Sequence, residues 1–185
     1  SNRAEVIEDV EAFRGVSPTV FPGFATGIKQ AAGLLLPTPT QTALDEATQV
    51  LRFDVISVSA PELFIQSADP LLDGQPKISP DGQLSFRTAL HKNGKAVVVV
   101  RLVEPLGASS PAPNSNASPN QTFTISVTPV NDAPQFNIPS SITYLEDAGL
   151  ISRNSFATDV RRGPVGSEDE NIQEIRFVVE PLDRN

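Results

Sequence analysis

Few side chains in this chain are able to do chemistry. There is no Cys, which excludes a thiol nucleophile, a disulfide and a thiolate metal site. His91 is the single imidazole, and one His cannot supply the two or three ligands of most catalytic zinc sites. It stands beside Asn93-Gly94, in what reads as an exposed hairpin loop. No Gly-x-Ser-x-Gly elbow and no glycine-rich phosphate loop occur. The acidic pairs Asp45-Glu46 and Glu168-Asp169-Glu170 are the nearest approach to the two carboxyl groups of glycoside hydrolysis. Neighbours on an extended segment point to opposite faces and do not converge on one bond, so these runs read as solvated acidic loops. The stretch from Asp69 to Asp73-Gly74 and Pro80-Asp81-Gly82 lacks the spacing and closing Glu of a helix–loop–helix calcium loop and reads as turn chemistry. A non-catalytic protein is expected.

Composition narrows the class further. The 185 residues carry 22 acidic and 14 Lys or Arg side chains, a formal net charge of −8. An acidic chain with no basic stripe is poorly suited to nucleic acid, where neutralising phosphate dominates affinity. The longest apolar runs, such as 31–36, fall far short of the roughly 20 residues a membrane helix needs. Apolar residues make up 39%, enough for a packed core. Seventeen prolines are roughly twice the usual share of about 5%. Proline breaks helix interiors and is confined to turns and strand edges, so short strands joined by loops are expected. With no initiator Met and no signal peptide, the chain reads as a piece of a longer protein.

The elements follow from pattern. Leu51-Arg52-Phe53-Asp54-Val55-Ile56-Ser57-Val58 largely alternates and is rich in β-branched residues, as a half-buried strand requires. Leu84-Ser85-Phe86 follows the turn pair Asp81-Gly82. Asn93-Gly94 predicts a hairpin leading into a strand over 96–103, nearly all apolar and so expected to be central and buried on both faces. Thr122 to Thr128 alternates cleanly, with Phe123, Ile125 and Val127 on one face. The segment 107–120 reads as a long loop, and 25–36 as room for a short helical turn.

Three blocks recur in the same order. Val6-Ile7-Glu8-Asp9 returns as Tyr144-Leu145-Glu146-Asp147, and Phe24-Ala25-Thr26-Gly27-Ile28 as Phe156-Ala157-Thr158-Asp159-Val160. Val50-Leu51-Arg52-Phe53-Asp54-Val55 returns as Glu174-Ile175-Arg176-Phe177-Val178-Val179, each behind an acidic run. The chain therefore reads as one full repeat over 4–133 and the opening of a second over 134–185. An opening without its closing strands exposes sheet edges. Residues 134–185 are expected to be either mobile or completed by another copy of the chain through strand exchange.

The run Thr124-Ile125-Ser126-Val127-Thr128-Pro129-Val130-Asn131-Asp132-Ala133-Pro134-Gln135-Phe136 resembles the repeat junction of bacterial cadherin-like, immunoglobulin-like surface repeats. In that family a closing strand runs into Val-Asn-Asp-Ala-Pro, and a Leu-Glu-Asp-Ala-Gly segment opens the next domain. Here that opener is Leu145-Glu146-Asp147-Ala148-Gly149, and in the first copy Ile7-Glu8-Asp9-Val10-Glu11. The resemblance implies an all-β fold, an antiparallel Greek-key β-sandwich repeated in tandem on large secreted or cell-surface proteins. Such arrays act as spacers, adhesive stalks or interaction modules, whose partners include neighbouring repeats of the same chain.

The resemblance also brings calcium into view. Calcium takes six to eight oxygens, largely carboxylate and carbonyl. The candidates are Asn131 and Asp132 in the linker, Glu146 and Asp147 at the next opener, and Glu104 from the first repeat. Cadherin linkers resemble Asp-x-Asn-Asp-Asn-x-Pro, whereas this chain has Pro129 in place of the first Asp and Ala133 in place of the later Asn. Beside the calcium reading stands a structural one, in which Asp132 caps a tight turn and Pro134 stiffens the linker. A further alternative is a polysaccharide-binding accessory domain of a secreted enzyme. It is weakened by the absence of Trp, the single Tyr, and Phe residues whose strand contexts predict core positions.

Overall fold

The computed structural model describes residues 3–8, 17–29, 51–104 and 117–181. The chain divides into two compact units, Ser1–Pro129 and Val130–Asn185. The protein is all-β. Nine strands lie among the described residues, with two single-turn 3-10 helices, Pro61–Leu63 and Asp169–Ile172. The predicted helical turn over 25–36 is absent from its described part, 25–29, where Gly27 takes a positive φ of 67°. Residues 30–36, the acidic pair Asp45-Glu46 and most of the predicted loop 107–120 lie outside the described residues.

In unit 1, one sheet holds β1 (Arg3–Ile7), β3 (Arg52–Val58), β6 (Gly94–Val103) and β7 (Gln121–Thr128), in the order β1-β7-β6-β3. The β7–β6 and β6–β3 pairs are antiparallel, and β1 runs parallel to β7. A second, antiparallel sheet holds β2 (Thr19–Phe21), β4 (Lys77–Ile78) and β5 (Leu84–Phe86), in the order β2-β5-β4. Both sheets contribute to one buried cluster. Ala4, Ala96, Val98, Val100, Phe123, Ile125 and Val127 come from the first, Ile78, Leu84 and Phe86 from the second. Leu63 and Phe64, at the end of the first 3-10 helix, complete it. Phe86 lies edge-on to Phe64 with centroids 5.6 Å apart and stacks on Phe21 at 5.8 Å. Rings of this kind supply most of the apolar area in a small core.

The period-2 pattern holds on β7, whose Phe123, Ile125 and Val127 all face inward. On β6 the expectation of burial on both faces fails. The strand is central, but Ala96, Val98 and Val100 are buried while Val97, between them, is 44% exposed. A strand in a sheet packed on one side needs only one apolar face, and β-branched residues suit the pleat on either. The hairpin expected at Asn93-Gly94 also fails. The strand before it, β5, pairs with β2 and β4, whereas β6 pairs with β7 and β3, so residues 87–93 cross from one sheet to the other. The dipeptide still supplies what its chemistry provides, a positive φ of 132° at Gly94. A turn residue fixes local backbone direction; it does not choose the pairing partner.

Gly82 closes the turn before β5 with φ of 87°, donates its N–H to the Ser79 carbonyl and accepts at its own carbonyl from the Ala25 N–H at 2.9 Å. A Cβ here would stand 2.2 Å from the Ala25 carbonyl oxygen, so no larger residue fits without moving backbone.

Unit 2 holds a two-stranded antiparallel sheet of β8 (Gln135–Asn137) and β9 (Thr158–Arg161). None of the buried core hydrophobics belongs to its described residues. Phe136 and Phe177 meet edge to face at 5.4 Å, yet are 51% and 55% exposed. The repeated sequence blocks take different local structures in the two units. Val6-Ile7 lies in β1 whereas Tyr144-Leu145 precedes an exposed turn, and Phe53 to Val55 lies in β3 whereas 174–179 forms no regular element. In unit 1 these blocks are held by β7 and β6, which pair with β1 and β3; among the described residues of unit 2 the strands are β8 and β9 alone.

Candidate metal centre

Chain leaving β7 at Thr128 passes through Pro129 into the linker Val130-Asn131-Asp132-Ala133-Pro134. Two linker side chains are tied to residues on either side of the 3-10 helix Asp169–Ile172 of unit 2. Asn131 accepts at Oδ1 from Gln173 Nε2 at 2.9 Å. Asp132 accepts at Oδ2 from the Ser167 hydroxyl at 2.6 Å, and its backbone N–H donates to Oε1 of Glu170 at 2.9 Å.

The Glu170 side chain is held in place by close packing. Gly163 is buried against it, and a Cβ at that glycine would lie 3.1 Å from Glu170, 3.2 Å from Asp132 and 3.3 Å from Ser167. A side chain at 163 would require these three neighbours to give way by a few tenths of an ångström. Glu170 is 1% exposed, and among the described residues its Oε2 has no hydrogen-bond partner; nor has the buried Oδ1 of Asp169. A buried carboxyl oxygen without a donor or cation is costly, commonly by about 1–3 kcal/mol or more.

The sequence singled out Asn131 and Asp132 but passed over Glu170 and Ser167. Glu168-Asp169-Glu170 read as a solvated acidic loop, and for Glu170 that reading is wrong: the segment is a 3-10 turn that directs this one carboxyl inward while Glu168 stays exposed. The available signal was Gly163-Pro164 upstream, a backbone compact enough to fold back on an acidic turn.

The remaining candidates belong to other segments of the chain. Glu146 and Asp147 occupy an exposed turn, with Asp147 at a positive φ of 61° and Gly149 at 69°. Glu104 follows the end of β6 in unit 1 and is half-buried. Among the described residues no three His, Asp or Glu side chains converge as the ligands of one ion. Within unit 2 the assembled feature is the pair Asp132–Glu170 with Ser167 and Asn131 beside it.

No family model, curated protein or solved structure matches the chain.

Two other features bear on chemistry. A shallow cleft of about 470 Å³ on unit 2 is lined by Pro134, Gln135, Phe136, Asn137, Asp159 and Arg161, with Asn137 Nδ2 donating to Asp159 Oδ2 at 3.0 Å. His91, the sole imidazole, is half-buried with a positive φ of 56°. Among the described residues no helix is long and apolar enough to cross a membrane.

Proposed function

We propose that the chain is a non-catalytic spacer and adhesive module of an extracellular or cell-surface protein, built from cadherin-like, immunoglobulin-like Greek-key β-sandwich repeats. The observation that carries this reading is the parallel pairing of the first and last strands of unit 1. Arg3 stands opposite Thr124 and Ile7 opposite Thr128, so the chain enters the unit at one end of this ladder and leaves at the other. That arrangement suits units threaded head to tail. Tension between the two ends loads the whole β1–β7 ladder in shear, so that its hydrogen bonds resist together and do not unzip singly. The strand orders β1-β7-β6-β3 and β2-β5-β4 support the Greek-key assignment, because neighbours in sequence are repeatedly placed in opposite sheets. The decisive experiment is single-molecule stretching of the chain between handles at its ends. The expected trace shows a discrete high-force event for unit 1; low-force, featureless extension would sink the reading.

Calcium enters the proposal at the linker. Asn131 and Asp132, with the bare Oε2 of Glu170, supply part of an oxygen shell, and Glu146, Asp147 and Glu104 are the further carboxyl groups the reading invokes. Partners are neighbouring repeats and, through the exposed apolar side chains of unit 2, a second copy by strand exchange. Sedimentation at increasing concentration tests the latter, with dimer formation expected and a monomer at all concentrations counting against it.

A second reading, recognition of polysaccharide, draws on the exposed ring of Phe136 beside Asn137, Asp159 and Arg161, since sugars stack on aromatic faces and bond to planar polar groups. A glycan array separates the two: a hit abolished by Phe136→Ala would favour the second.

A further inference from the structure

We infer that Asn93 is a self-modification site, where spontaneous deamidation breaks a latch that holds β1 in place. Glu8 follows the last residue of β1 and is 1% exposed. Its backbone N–H donates to the Thr128 carbonyl at 2.7 Å, extending the β1–β7 ladder by one bond. Its Oε1 accepts from Asn93 Nδ2 at 3.2 Å, a contact between residues 85 positions apart. The amide of Asn93 thus supplies a donor to a buried carboxyl group at the end of that ladder.

Asn93 is followed by Gly94, the neighbour that least obstructs attack on the side-chain amide. Gly94 is exposed, and even a Cβ added there would meet nothing closer than the Leu63 methyl groups at 3.8 and 3.9 Å. The Gly94 backbone nitrogen attacks Cγ of Asn93, a C–N bond forms, and ammonia leaves carrying the amide proton. A five-membered imide remains. Water then opens it at one carbonyl or the other, giving Asp or its β-linked isomer. In the first product the NH₂ donor is replaced by a second carboxyl group facing Glu8. In the second, the backbone gains a methylene and the side chain is drawn away. Either way Glu8 loses its donor from Asn93, and breaking a buried polar pair by removing one partner is strongly destabilising.

The experiment ages the whole chain in its folded state at mildly alkaline pH. Peptide mass spectrometry then follows the peptide holding Asn93-Gly94 while the melting temperature of the same samples is recorded. The expected result is a gain of about one mass unit at Asn93, with a melting temperature that falls in step by several degrees. The Asn93→Asp variant should reproduce that fall and Asn93→Gln should prevent the mass gain. If Asn93→Asp does not fold, the aged fraction separated by ion exchange gives the same readout. Modification in denatured chain only would overturn the inference, as would modification of folded chain with an unchanged melting temperature.

Discussion

The backbone N–H of Asp132 donates to the buried carboxyl of Glu170 at 2.9 Å, across 38 residues of sequence. This contact makes the linker residue part of unit 2's own framework. The Ser167 hydroxyl bonded to Asp132 Oδ2 and the Gln173 amide bonded to Asn131 reinforce it. The Asn-Asp pair of the linker is thereby held from three points of one short segment.

If Glu170 holds the linker, Glu170→Ala removes the acceptor of the Asp132 N–H and leaves a hole beside Gly163. The expected cost to unit 2 is about 1–3 kcal/mol, read as lower protection of the Asp132 amide in hydrogen exchange. Equal protection in the variant would show that the bond contributes nothing.

The calcium reading makes a separate prediction. Calcium should raise the melting temperature of the native chain relative to chelator, and the rise should shrink in Glu170→Gln, which keeps one acceptor oxygen but replaces the other by an amide. No calcium-dependent shift in the native chain would remove the metal from the account.

Alternation on the central strands can be checked by two deletions of similar chemistry. Ile125→Ala, at a fully buried position of β7, should cost about 2–5 kcal/mol. Val97→Ala, on the outward face of β6, should change stability by no more than about 0.5 kcal/mol. Chemical denaturation of both variants gives the comparison, and similar costs would contradict a core confined to one face.

Gly82→Ala tests the turn before β5. The new methyl group meets the Ala25 carbonyl at 2.2 Å and the backbone must hold φ of 87°, so a loss of about 1–3 kcal/mol is expected in the denaturation of unit 1. A neutral substitution would mean that 25–28 does not pack on this turn.

In the same turn, the Ser79 hydroxyl donates to Asp81, and this bond, followed by backbone N–H groups, holds the Asp81 carboxyl below its ordinary pKa. A depressed folded pKa contributes stability above the unfolded value and loses it as pH falls through the folded one. Asp81 is fully exposed, so the effect belongs in a site titration. Ser79→Ala should move the Asp81 titration, followed by carboxyl carbon NMR, back up toward the ordinary value; an unmoved midpoint would discount the hydroxyl.

Sequence by itself determined the all-β character and the inward face of β7, because proline density forbids long helices and period-2 patterns survive wherever one face is buried. It also marked Asp81-Gly82 as a turn, since a positive φ is a local demand that glycine meets without a Cβ penalty. Tertiary structure decided the rest. Asn93-Gly94 carried a hairpin signal, but the partner of β6 was chosen by the shared core of two sheets, to which β5 and β6 belong separately. Glu168-Asp169-Glu170 offered three equivalent acidic residues, and the 3-10 turn, packing against Gly163 and the bond from the Asp132 N–H set Glu170 apart as the buried one. Asn93 and Glu8 lie too far apart in sequence for any local pattern to join them; the parallel alignment of β1 on β7 brings them together.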